Sequence, residues 1–212
     1  MKLRVLSLLL TAVLLLSLAA CGKPAKTPEN SDSAPTATGS PLVGENDGTS
    51  YRNTYFGLAF TPSKGWDMYD DEQMMDRNLP FLSSGDDVDY AEAINQAQEF
   101  YVMYAVYGGN DNTIAVKVEN TATMFETLPS AEEYRAIQVS QLEGIPSLTT
   151  ELITVKVDGQ DFLGLKVLWG EGETVQTDIS VYMPKDNYMV ILNFSSLDGD
   201  HTAEWASWFD LL

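Results

Sequence analysis

Residues 151–195 read ELITVKVDGQDFLGLKVLWGEGETVQTDISVYMPKDNYMVILNFS. The runs 151–157, 161–169, 174–183 and 188–195 are rich in β-branched and aromatic residues, the composition that fits a pleated, packed surface. Between them lie Asp158-Gly159, Gly170-x-Gly172 and Pro184-Lys185-Asp186-Asn187, each a hairpin signal. Four strands joined by short turns make an antiparallel meander. This stretch decides the fold class.

Working back from the meander, helices alternate with further strands. Ser130-x-x-Glu133 is a capping box opening a helix with Tyr134, Ile137 and Gln141 on one line, ending near Gly144 and Pro146. Ile114, Val116 and Val118 alternate with Ala115, Lys117 and Glu119, which predicts a half-buried strand. Asp89 caps a helix carrying Tyr90, Ile94 and Ala97; Phe100 to Tyr107 reads either as its continuation or as a buried strand. Asp70-Asp71-Glu72-Gln73 opens a helix reaching Leu79, with acids in the first turn where the helix dipole favours them. Tyr51 to Phe60 is an aromatic strand or hairpin closed by Pro62 and Gly65. Towards the C-terminus, a short helix from about His201 presents Trp205, Trp208 and Phe209. The expected class is α+β, an antiparallel sheet with helices packed on it.

The first 21 residues carry an address. Lys2 and Arg4 precede an apolar run from Val5 to Leu16, too short to span a bilayer and typical of a secretory signal peptide. It ends in Leu18-Ala19-Ala20-Cys21, which resembles the bacterial lipobox. That resemblance implies a signal peptide over 1–20, removed before Cys21, and lipid on the Cys21 thiol. Two acyl chains supply the double signal that stable anchoring requires. The expected location is the extracytoplasmic face of a cell membrane, the outer leaflet of the cytoplasmic membrane of a Gram-positive-type bacterium. Cys21 is the chain's one cysteine, so no disulfide is expected in the domain.

Residues 22–50 hold four Pro, four Gly, four Ser and four Thr, and no aromatic residue precedes Tyr51. With lipidated Cys21 they are expected to form a flexible tether over 21–50, leaving a domain at 51–212. The domain holds all 22 aromatic residues, with 8 basic and 27 acidic side chains. A net charge of −19 excludes a nucleic-acid binder, which must displace counterions from phosphates with a basic footprint. A monomer that meets a protein partner through that partner's basic patch is the expectation.

The opening Tyr51…Phe56-Gly57-Leu58-Ala59-Phe60…Pro62…Gly65-Trp66 resembles the start of PsbP-like and DcrB-like domains. The later run fits as well, from the helix at 130–144 through Val157-Asp158-Gly159 to Tyr182…Tyr188-Met189-Val190-Ile191 and Phe194-Ser195. The segment 81–107 departs from the pattern. The resemblance implies an α/β/α sandwich and a non-catalytic role, in binding or as an accessory or assembly subunit. It brings no catalytic residues with it.

A search for chemistry supports the same reading. His201, beside Asp198 and Asp200, is the one candidate base; Ser195 and Ser196 lie near it, but no Gly-x-Ser-x-Gly elbow occurs. No phosphate-binding glycine loop occurs, and no cofactor is expected. The acidic clusters Asp70-Asp71-Glu72, Asp86-Asp87-x-Asp89 and Asp198-x-Asp200 do not match a calcium loop, so no metal site is assigned. The alternative is an extracytoplasmic hydrolase using clustered carboxylates, which needs two of them facing across a groove. Tyr101, Tyr104 and Tyr107, with Met103 between them, either pack a strand or line an apolar groove. No ligand-binding residue is singled out.

Overall fold

The computed structural model describes residues 40–82, 89–109, 111–170 and 175–212. The signal segment, Cys21, the tether up to 39, Asp86, Asp87 and Gly172 lie outside the described residues. Those described fall in one compact unit. Its strands are β1 (Glu45–Asn46), β2 (Tyr51–Asn53), β3 (Leu58–Phe60), β4 (Asp67–Met68), β5 (Glu99–Tyr107) and β6 (Asn112–Asn120). The sequence continues with β7 (Leu148–Val157), β8 (Gln160–Trp169), β9 (Gln176–Lys185), β10 (Tyr188–Ser196) and β11 (Phe209–Leu211). The helices are α1 (Asp71–Asn78), α2 (Tyr90–Gln96), α3 (Thr121–Met124), α4 (Ala131–Leu142) and α5 (Thr202–Ala206).

The meander forms as its turns require. Val157 pairs with Gln160 across Asp158-Gly159, both at positive φ, the two-residue turn that matches strand twist. Strands β7 to β10 then pair antiparallel in sequence order, and β6 adds to β10. The large sheet runs β4-β5-β6-β10-β9-β8-β7. A second, four-stranded sheet of order β1-β2-β3-β11 was not expected from the sequence. It contributes Tyr51, Leu58, Phe60 and Phe209 to the main core, where they meet Ile114, Val116, Val118, Leu192 and Phe194. The opposite face of the large sheet carries a smaller core of Tyr134, Leu165, Val167, Tyr182, Met189 and Ile191 under α4. The expected α+β arrangement with an antiparallel sheet holds.

One open reading is decided and others change; the C-terminal helix stops at Ala206, so Trp208 follows it and Phe209 belongs to β11. The helix capped by Asp89 stops at Gln96, and 99–107 takes the strand alternative, pairing along its length with β6 and burying Phe100, Val102 and Met103 in the main core. Strand β6 is buried on both faces, Ala115 and Glu119 included, because helices cover the side that alternation assigned to solvent. Pro184 and Lys185 finish β9, leaving Asp186-Asn187 as the turn.

The domain also begins earlier than 51. Residues 40–50, assigned by composition to the tether, pack onto it: Leu42 is 5% exposed and lies in the main core. Asn53 Nδ2 donates to the Leu42 carbonyl at 2.9 Å, and Ser40 Oγ donates to Asn95 Oδ1 at 2.8 Å. Gly44 makes the turn possible. Its φ is +79°, and a Cβ there would sit 2.7 Å from the Arg52 carbonyl oxygen. Turn-forming composition was a feature of a packed turn here, not of a loose linker.

Candidate functional site

The loop after β10 holds the chain's one histidine. His201 Nε2 lies 2.8 Å from Asp198 Oδ1, and Ser196 Oγ donates to the same oxygen at 2.6 Å. A nucleophilic relay needs the imidazole between hydroxyl and carboxylate. Here the carboxylate stands between the other two, so the imidazole is not placed to take the Ser196 proton. Ser195 points to the other face of the sheet, where Gln176 Nε2 donates to its Oγ at 3.1 Å. The His201 ring stacks on Trp205, centroids 5.0 Å apart. The Ser196 hydroxyl first, and His201 after it, hold the Asp198 carboxyl below its ordinary value.

Asp200 in the same loop ties β8 to α5. Lys166 Nζ lies 2.7 Å from Asp200 Oδ2, and the Thr202 N–H donates to Oδ1 at 3.0 Å. Partial burial raises the carboxyl, but Lys166 and Thr202 outweigh it and draw it down to about 2. A carboxyl lowered on folding stabilises the fold fully above its unfolded value near 3.8 and loses that contribution as pH falls through about 2. Asp200→Asn is therefore expected to flatten the fall of the thermal midpoint between about pH 4 and pH 2. An unchanged slope would count against this linkage.

The other acidic clusters serve the helices. Asp70 accepts from the Gln73 N–H at 2.9 Å while Gln73 Oε1 accepts from the Asp70 N–H at 2.9 Å, a complete capping box. Asp89 accepts from the Ala91 N–H at 2.8 Å. Among the described residues no three His, Cys, Asp or Glu side chains converge as a metal site would require.

The three tyrosines of β5 do not line one groove. A bulge between Tyr101 and Met103 shifts the register. Tyr101 and Tyr104 lie under α1, with the Arg77 guanidinium 5.0 and 4.0 Å from their ring centroids. Tyr107, 47% exposed, stacks on Trp66 at 5.7 Å, and Trp66 in turn meets Trp205 and Trp208 edge-on. Met103 is fully buried.

The most polar part of the large sheet is the face shared by α1 and α4. Register places Tyr104, Ala115, Asn193 and Ser180 in one row across four strands, with Thr113, Ser195 and Asp178 in the next. These polar side chains are half-buried and linked: Ser180 Oγ donates to Asn193 Oδ1 at 2.9 Å, and Gln176 Nε2 donates to Asp178 Oδ1 at 2.9 Å. On the opposite side of the Tyr104 row comes Lys117, paired with Glu99 at 2.5 Å and Glu119 at 2.8 Å. The Tyr134 hydroxyl, from α4, donates to the second oxygen of Glu119. Burial alone would lower the Lys117 ammonium, but Glu119 and Glu99 reverse this and raise it. Burial first, then the Glu119 carboxylate, raises the Tyr134 phenol.

This face sets hydroxyl and amide groups, bonded to one another, beside a charged cluster. Sequence reasoning missed it because Lys117 and Glu119 looked like the solvent side of an amphipathic strand. The signal lay in Glu99 and Glu119, whose charges sit opposite each other and need Lys117 between them.

No family model matches the chain, and no curated protein matches it. Among solved structures, it is similar to the solution structure of cyanobacterial PsbP (CyanoP) from Synechocystis, with 18% identity and a TM-score of 0.42. That match covers 77% of this chain and 91% of CyanoP. It is also similar to the crystal structure of LpqN, involved in cell envelope biogenesis of Mycobacterium tuberculosis, with 13% identity and a TM-score of 0.37. There the coverage is 76% of this chain and 78% of LpqN. Likeness at this level carries no activity from either neighbour to this chain.

Proposed function

We propose that this chain is an extracytoplasmic, lipid-anchored accessory protein that acts by binding a partner instead of by catalysis. The observation that carries the reading is Leu18-Ala19-Ala20-Cys21, which closes a basic and then apolar leader and contains the chain's single cysteine. The thiol takes the lipid, residues 22–39 give the domain reach, and the domain presents a polar, acidic surface outward. The site geometry is compatible with this role, since His201 and Ser196 both point at one oxygen of Asp198. The hydrolase alternative requires two free carboxylates across a groove. Asp70 and Asp89 are occupied as helix caps, and Asp198 and Asp200 as anchors of their loop.

The test is localisation. Cys21→Ala is expected to leave the leader uncleaved or to move the protein out of the lipid-anchored fraction, as read by detergent partitioning and by the mass of the mature N-terminus. A variant processed and lipid-partitioned like the parent would overturn the anchoring.

A further inference from the structure

The two edges of the large sheet differ. One ends in the two-residue β4; the other is β7, ten residues paired with β8 through an unbroken register. A single Arg135 Nη1 lies 3.4 Å from both the Ile153 and the Gly164 carbonyl oxygens, so these two carbonyls point into the space between the strands. Ile153 and Gly164 are therefore a pair that exchanges its hydrogen bonds, as Val157 and Gln160 are at the turn. Antiparallel pairing alternates, so the N–H and C=O groups of Thr150, Leu152, Thr154 and Lys156 point away from β8. Among the described residues no hydrogen bond from elsewhere in the fold reaches these outward peptide groups.

Exposed edges are usually blunted by proline, a bulge, inward charges or shortness. The run Leu148–Val157 has no proline and no bulge, and Leu152 at its middle is 59% exposed. Its one basic side chain, Lys156, is paired with Asp161 at 2.6 Å. Glu151, on the strand, is exposed, as is Asp158 at its turn. A second copy of the chain would bring another 19 net negative charges to the same edge.

We propose that β7 is a docking edge, to which an extended segment of another protein, carrying basic side chains, adds as a further strand. The outward peptide groups supply the ladder, and the acidic surroundings select for positive charge. The inference rests on the binding role proposed above, but it needs no lipid, so it and the anchoring fail separately.

The experiment uses the full chain carrying Cys21→Ala and three synthetic ten-residue peptides. One alternates lysine and valine, the second has glutamate in place of lysine, and the third is the lysine peptide N-methylated along one edge. The lysine peptide is expected to bind and to slow hydrogen exchange at the Leu152 and Thr154 amides by about tenfold or more. N-methylation of the pairing edge, and separately Thr154→Pro, should each weaken binding by about tenfold. Thr154→Pro removes only an outward N–H, a position where an edge strand tolerates proline. The methylated peptide tests the same ladder with the protein unaltered. Binding should also weaken as salt rises from about 0.1 to about 1 M. Equal binding of the glutamate or methylated peptide, or protection at other amides, overturns the proposal. So does slow exchange at Leu152 and Thr154 in the chain alone, which would assign the edge to a second copy or to the chain's own tether.

Discussion

Lys117→Met is expected to cost about 3–5 kcal/mol of folding stability. The side chain replaced is the cation that touches two carboxylates, Glu99 and Glu119, which stand opposite each other on neighbouring strands. Removing it leaves two like charges together in a place largely closed to water, and breaking a buried ion pair from one side is far worse than never having built it. Tyr134 would remain as one donor to Glu119, too little to hold the second carboxylate. Replacing the group as a whole should behave differently. Lys117→Met combined with Glu99→Gln and Glu119→Gln is expected to recover most of the loss, since no unpaired charge then stays buried. Urea unfolding followed by tryptophan fluorescence measures both. A loss below about 1 kcal/mol for the single variant would mean that water reaches the cluster freely.

That cluster also marks where sequence reading reached its limit. The four strands of the meander were legible because their turns are chemically specific: Asp158-Gly159 can adopt the required positive φ, and the flanking residues are β-branched or aromatic. The capping box at Ser130 was legible for the same reason, as was the helix start at Asp70, although its reciprocal bond with Gln73 emerged only from the structure. Local chemistry of this kind is written in three or four adjacent residues. The burial of Lys117 and Glu119 is not local. It follows from α4 packing over β8 and β9 and reaching across with Tyr134 to Glu119, and nothing within β6 announces that. The small sheet was hidden by distance, since β11 pairs with β3 across nearly the whole domain. The His201 loop was read correctly as a group of neighbours, but adjacency in sequence does not say which atom lies between which. Only geometry shows Asp198 taking the place a base would need.

Leu42→Ala is expected to destabilise the domain by about 2–4 kcal/mol. A leucine in a tether would cost nothing when shortened, so the variant separates a packed segment from a loose one. Leu42 lies in the main core, and its carbonyl accepts from the fully buried Asn53, whose Oδ1 in turn accepts from the Phe56 N–H. Shortening the side chain leaves that hydrogen bond in place and opens a cavity beside the hairpin. Beginning the chain at Tyr51 instead would remove the acceptor together with the segment that packs on Asn53, opening that amide to water while stripping Leu42 from the core. It would also release the ordering entropy of residues 40–50, so the truncation and the point variant need not match. The point variant is the cleaner measurement. Chains starting at Ser40 and at Tyr51 should still rank in that order of stability, because β2 loses its β1 neighbour in the shorter one. Equal midpoints for both chains, together with an unchanged midpoint for Leu42→Ala, would return residues 40–50 to the tether. The expected loss instead counts residues 40–50 with the folded domain, as the burial of Leu42 in its main core requires.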